Sequence, residues 1–237
     1  LVKLTGDELS DHADRIESSI LSLFQSRPET IAEQTGLAEH VDELRENLGH
    51  LRIAGDRLED LSDALRTQSR HEEGKTIDVD LNQIISEGLL IVRGKLSRYQ
   101  VQFEPIDLPP IACIRSQIGQ VFINLFSNAG DALELRLDES RDTDERFRGT
   151  LSVTAQPQTI ANRDGIEILV RDNGSGVPDK IADAIFEAFV TTKPAGMGTG
   201  LGLMLSQRII NEHNGELELI PIQESGALFR VWLPTEG

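Results

Sequence analysis

Asn124, Asn128 and Asp131 in QVFINLFSNAGDAL (120–133) fall at i, i+4 and i+7. On a helix they share one face, with apolar residues opposite. Carboxamides in such a file can hold a metal ion or phosphate oxygens, although helical asparagine is often only solvated. A second segment, RDNGSGVP (171–178), follows an apolar strand-like run. Asp172 at the strand end can accept a hydrogen bond from an amino group, and Gly174 and Gly176 let backbone pass close to a flat ligand. An ordinary Asp-Asn-Gly turn would use the same residues. In IFEAFVTTK (185–193), Phe186 and Phe189 could cover a ligand and Lys193 could reach a phosphate; the bland alternative is an amphipathic helix end. In GMGTGLGL (196–203), Gly198, Gly200 and Gly202, with Leu201 among them, can turn backbone N–H groups toward an anion at a helix N-terminus. That motif is neither a dinucleotide fingerprint, lacking a following βαβ unit, nor a Walker loop, lacking Gly-Lys-Ser/Thr.

Elements must hold these segments in place. Helical spacing covers Leu81 to Arg98 and Arg115 to Leu137. VQFE (101–104), LSVTA (151–155) and IEILV (166–170) alternate as strands, and the charged run from Asp138 to Gly149 reads as a loop. A helix at about 200–213 follows the glycines, and ELELI (216–220) and ALFRVWL (227–233) form a closing hairpin. Upstream of residue 74 the pattern changes. Leu9, Ala13, Ile16, Ile20 and Leu23, then Leu37, Val41, Leu44, Leu48 and Leu51, make apolar stripes broken at Arg27-Pro28-Glu29. They predict a helical hairpin, roughly 1–27 and 36–71. Two helices with so narrow a stripe bury little alone, so a second copy is expected to complete a dimeric four-helix bundle. A hairpin packed on its own downstream domain is the alternative.

Composition narrows the function classes. A net charge of −17 argues against binding through nucleic-acid phosphates. The single cysteine, Cys113, excludes an internal disulfide and fits a reducing compartment, so the expected location is cytoplasmic. No apolar run is long enough to span a bilayer, and no signal peptide is recognisable. The chain begins at Leu1 rather than Met, and is expected to be a fragment with any sensor or membrane segment upstream.

Taken together, the four segments resemble the ATP-binding domain shared by histidine kinases, type II topoisomerases, mismatch-repair ATPases and the ninety-kilodalton heat-shock chaperones. The resemblance covers roughly residues 79–236. It implies an α/β two-layer sandwich of Bergerat, or GHKL, type at 75–237, following a dimerisation and phosphotransfer hairpin at 1–74. It also implies that Asp172 contacts the adenine amino group, Asn128 holds Mg²⁺, Asn124 faces the phosphates, and the segment from Phe189 through Gly202 forms a lid over ATP. Hydrolysing relatives carry a glutamate where this chain has Asn124. Without it, general-base activation of water loses its agent. IFEAFVTTKPAGMGTGLGL is similar to the histidine-kinase version of these boxes. The implied protein is a homodimeric sensor histidine kinase core that uses Mg-ATP and passes phosphate through a histidine to an aspartate of a response-regulator receiver domain.

The phosphoacceptor is less regular. In the family, the first hairpin helix carries His followed by an acidic residue, then commonly Thr or Asn and Pro. In LTGDELSDHADRIESSI, taking Ile16 as the core residue puts Ser10 in the histidine slot and Asp11 in the acidic one, with Asp14-Arg15 in place of Thr/Asn-Pro. His12 comes two residues late. With Leu9 and Ile16 at d positions, Ser10 falls at e and His12 at g, so both flank the seam. Three readings stay open. Either His12 is the acceptor in a divergent box, or Ser10 occupies the slot and the chain is a pseudokinase-like ATP-binding module. A serine there would be a poor nucleophile without a strong base. In the third reading another histidine serves, such as His40, His50 or His71, although these lie on or beyond the second helix; His213 is expected to be structural.

Overall fold

The computed structural model describes residues 76–141, 147–193 and 198–235. The expected hairpin, with Ser10 and His12, lies outside them. The described residues fall almost wholly in one compact unit, Arg66–Thr192 with Gly200–Gly237, while Lys193–Thr199 group with the other.

Strand β1 (Thr76–Val79) pairs antiparallel with β3 (Ile111–Cys113) as a two-stranded ribbon. Between them lie helix α1 (Leu81–Ile91), the single turn α2 (Arg93–Leu96) and strand β2 (Gln100–Phe103). Then follow the long helix α3 (Arg115–Arg141), the hairpin β4 (Thr150–Ile160) and β5 (Arg163–Asp172), the short α4 (Asp179–Ala182), helix α5 (Gly202–Glu212), and strands β6 (Glu216–Leu219) and β7 (Leu228–Pro234). The main sheet has the order β2-β4-β5-β7-β6 and is antiparallel except for the β2–β4 pair.

Period-two alternation decides which sheet face is covered. Leu151 and Val153 on β4, Ile166, Ile168 and Val170 on β5, and Phe229, Val231 and Leu233 on β7 are all buried. Val153 opposes Val170, Ile168 opposes Val231 and Val170 opposes Phe229, so these side chains form one continuous apolar face. Helix α3 answers it with Ile118, Val121, Phe122, Leu125, Phe126, Ala129 and Leu133, spaced by three and four. Phe122 and Phe126 stack with ring centroids 5.9 Å apart. Helix α1 starts at an N-cap, where the Asp80 side chain accepts from the Asn82 N–H at 2.9 Å. It closes on α3 at Gly88, where an added Cβ would lie 3.2 Å from the Phe126 ring. The described unit is thus the expected α/β two-layer sandwich.

Several elements depart from the sequence expectation. The Leu81–Arg98 helix is interrupted at Val92. Helix α3 runs on to Arg141, through residues expected to be loop. Charged side chains are tolerated on the solvent side of a helix, so a charge run does not by itself end one. Among the described residues, no helix is long and apolar enough to cross a membrane.

Candidate functional site

Asp172 is the fourth inward-facing position of β5, after Ile166, Ile168 and Val170. The alternation therefore delivers a carboxyl group where the pattern calls for an apolar side chain. It is only 4% exposed. Burial pushes its pKa up from 3.8 to about 6, against the lowering effect of backbone N–H groups at Gly174 and Ala227. The Gly174 N–H donates to its Oδ1 at 2.8 Å.

The loop after Asp172 is braced on helix α3. A Cβ on Gly174 would lie 2.6 Å from the Ala132 carbonyl carbon, so only glycine fits against the helix there. The Ser175 N–H donates to Ala132 O at 3.0 Å. Asn173 accepts from the Thr150 N–H at 2.7 Å and donates to Arg148 O at 2.9 Å, while Arg136 donates to Asn173 O at 2.6 Å. Gly176 adopts φ +75 and faces Gly226, which has φ +109. This bracing, which an ordinary Asp-Asn-Gly turn does not need, sets Gly174 and Ser175 beside Ala132, the residue that follows Asp131.

The polar file on α3 is present as expected. Asn124, Asn128 and Asp131 are all half-buried. The Asn124 Nδ2 donates to Ser206 Oγ on α5 at 3.0 Å, and the Asn128 Nδ2 points at Asn124 Oδ1 at 3.4 Å. Asp131 pairs with Lys95 of α2 at 2.5 Å. Gly202 opens α5 directly against Asn124, where an added Cβ would lie 2.9 Å from Cγ. Leu201 is the N-cap residue of α5 and is buried, with no side-chain cap bond. Gly200, at φ +66, lies against the Phe189 backbone, and the Phe189 N–H donates to Gly200 O at 3.0 Å. Phe186 packs on the core, whereas Phe189, at φ +67, is 74% exposed. Lys193 and Gly198 group with the other unit. Ser206, Ser127, Lys95 and Gly226 were not singled out from sequence. Gly226 alone left a signal there, as a turn residue before a strand.

His213 is buried and structural. Its Nε2 accepts from the Ile114 N–H at 3.0 Å, and its Nδ1–H donates to Ile209 O at 2.8 Å. That pattern is the neutral tautomer pinning α5 to the start of α3.

The family model for the histidine kinase-, DNA gyrase B- and HSP90-like ATPase matches residues 113–237, more than half of the chain. The chain belongs to that ATPase family. Its family membership implies ATP binding, and its similarity is to sensor histidine kinases. Sporulation kinase E of Bacillus subtilis (strain 168) is 36% identical over 147 residues, covering 62% of this chain and 18% of that protein. Sensor histidine kinase ZraS of Escherichia coli (strain K12) is 33% identical, covering 66% and 30%. Sensory histidine kinase/phosphatase NtrB of Rhizobium meliloti (strain 1021) is 32% identical, covering 76% and 47%. The chain thus spans less than half the length of these curated relatives. The catalytic domain of histidine kinase ThkA in a nucleotide-free form aligns with a TM-score of 0.54 at 26% identity, over 69% of this chain and 97% of that one. Full-length ShkA, in complex with AMPPNP, shares the fold with a TM-score of 0.58 at 21% identity, over 98% of this chain and 46% of that one.

Proposed function

We propose that the chain is the catalytic core of a two-component sensor histidine kinase, with a dimerising helical hairpin at 1–74 and an ATP domain at 75–237. The observation that carries this reading is the buried Asp172 carboxyl, placed in an otherwise apolar file and braced against the helix that bears Asn124, Asn128 and Asp131. A buried carboxyl is costly, and such perturbed groups concentrate at functional sites. The names of the similar kinases support the same reading.

The residues present fit Mg-ATP. When bound, Mg-ATP supplies a transferable γ-phosphoryl group and a metal-neutralised diphosphate leaving group. Asp172 accepts a hydrogen bond from the adenine amino group, and Gly174 and Gly176 let the loop run close to the base. Asn128 offers a hard carboxamide oxygen to Mg²⁺, suited to a cation that takes its other oxygens from phosphates and water. Asn124 lines the phosphate path and cannot act as a general base. Lys193, Gly198, Gly200, Leu201, Gly202 and Phe189 belong to the lid. Water is then a poor acceptor, and the imidazole of His12 takes the phosphoryl group with departure of ADP. A receiver-domain aspartate of a response regulator is the next acceptor.

Ser10 in the histidine slot motivates one second reading, a pseudokinase-like dimer that binds ATP without phosphorylating itself. Incubating the purified chain with γ-labelled ATP separates the two. Acid-labile, base-stable label that is lost in His12→Gln is the expected result. Tight ATP binding with no label favours the second reading. Steady turnover of ATP that falls in Asn124→Ala would overturn both in favour of an ATPase machine.

A further inference from the structure

Lys95 belongs to none of the motifs, yet its ammonium group reaches the polar face of α3. Its Nζ lies 2.5 Å from Asp131 Oδ1 and donates to Ser127 Oγ at 2.9 Å. Residues 124, 127, 128 and 131 share one helical face, so this cation sits in the same file as Asn124 and Asn128. Its stem reaches that place by lying across Gly130, where an added Cβ would come within 3.0 Å of Lys95 Cγ and 3.1 Å of Cδ. The bare Cα of Gly130 is what leaves room for the crossing.

The pair is a weak candidate for a purely stabilising role. Its side chains are 38% and 33% exposed, and ion pairs that open to solvent add little to folding. For anion binding its position matters more. The chain carries a net charge of −17, so an approaching polyphosphate meets a repelling field. Asp131 adds a carboxylate one turn from Asn128, a like charge beside the path assigned to the phosphates.

We propose that Lys95 is a positioning residue of the nucleotide site, neutralising Asp131 so that the polyphosphate can run along the Asn124–Asn128 file. This rests on the reading of that file as the phosphate and metal side of an ATP site. Lys95 acts through Asp131, and its effect grows with the number of phosphates on the ligand.

The test is calorimetric titration of the full chain with Mg-ATP and, separately, with adenosine, at low and high salt. Lys95→Met is expected to weaken Mg-ATP binding about tenfold at low salt, because it removes the cation paired with Asp131. It should leave adenosine affinity within about twofold, and the Mg-ATP loss should shrink as salt screens the site. Lys95→Arg and the double variant K95M/D131N should both recover Mg-ATP binding. Equal losses for both ligands would mean a structural role and overturn the proposal. So would unchanged Mg-ATP affinity in Lys95→Met, or failure of Asp131→Asn to restore it. A wild-type chain that binds neither ligand overturns the nucleotide reading itself, and this inference falls with it.

Discussion

Asn124 and Gly202 interlock: the carboxamide of one occupies the space that a side chain on the other would need. The same carboxamide donates to Ser206 one turn further along α5. Gly202→Ala should therefore displace Asn124 from the polar file. Alanine favours a helix over glycine by about 1 kcal/mol, which offsets part of the strain. The expected outcome is a Tm within a few degrees of wild type, but Mg-ATP affinity reduced by about tenfold or more, since a misplaced polar group forfeits its contact. Thermal melts alongside calorimetry check it, and unchanged affinity would remove Asn124 from the phosphate path.

Asp172 predicts opposite effects on stability and on binding. Its carboxyl titrates near 3.8 in the unfolded chain and about 6 in the fold. Between those values the native state holds more proton, so stability falls as pH rises through about 4 to 6 and is level above. Asp172→Asn removes the buried charge and keeps an acceptor for the Gly174 N–H. It should raise stability at pH 7 by on the order of 3 kcal/mol, with the difference vanishing below pH about 4. Nucleotide binding needs the ionised acceptor, so wild-type affinity should drop as pH falls through about 6, and Asp172→Asn should bind poorly at every pH. Urea titrations and nucleotide titrations across pH 4–8 read both; a destabilised Asp172→Asn at pH 7 would contradict the burial argument.

His213 should matter to folding and not to phosphate chemistry. Replacing it with alanine strands the Ile114 N–H and opens a gap between α5 and α3. The expected loss is about 1–3 kcal/mol. Labelling from γ-labelled ATP, scaled to the folded fraction, should be unchanged. Complete loss of label in a well-folded His213→Ala chain would instead point to direct participation.

The β4–β5 hairpin turns on Ala161 and Asn162, with φ of +50 and +60, between the paired residues Ile160 and Arg163. Both central residues sit in the left-handed region, as the tightest two-residue hairpin turns require. Asparagine tolerates that region and alanine does not. Ala161→Asn should stabilise the domain by about 0.5–1 kcal/mol, read as a higher urea midpoint at unchanged slope. A lower midpoint would mean that the turn is held by contacts other than its own dihedrals.

The sheet and the polar file were legible because both depend on short periods. IEILV announces its buried face every second residue, and Asn124, Asn128 and Asp131 announce theirs every turn. The same alternation, carried one step further, singles out Asp172 as an inward-facing carboxyl. What stayed hidden depends on tertiary neighbours. Strands β1 and β3 have four and three residues, too few for a period to show. Lys95 and Ser206 come from other helices, and nothing in KLSRY or LMLSQ hints that they meet α3. Phe189, expected as a cover, is exposed, and its backbone N–H donates to Gly200 O. The expected hairpin and the expected acceptor position, Ser10 or His12, lie outside the described residues.

Strand β2 meets β4 in parallel, Gln100 against Thr150, and parallel neighbours cannot be joined by a tight turn. Helix α3 lies in the connection between them, so the element that bears the polar file is also the crossover that completes the sheet. Damage to that helix releases β2 and bares the edge of β4. An unpaired edge is a template for another chain. Substitutions that break α3 should thus announce themselves first as aggregation, before any defect in nucleotide handling can be measured.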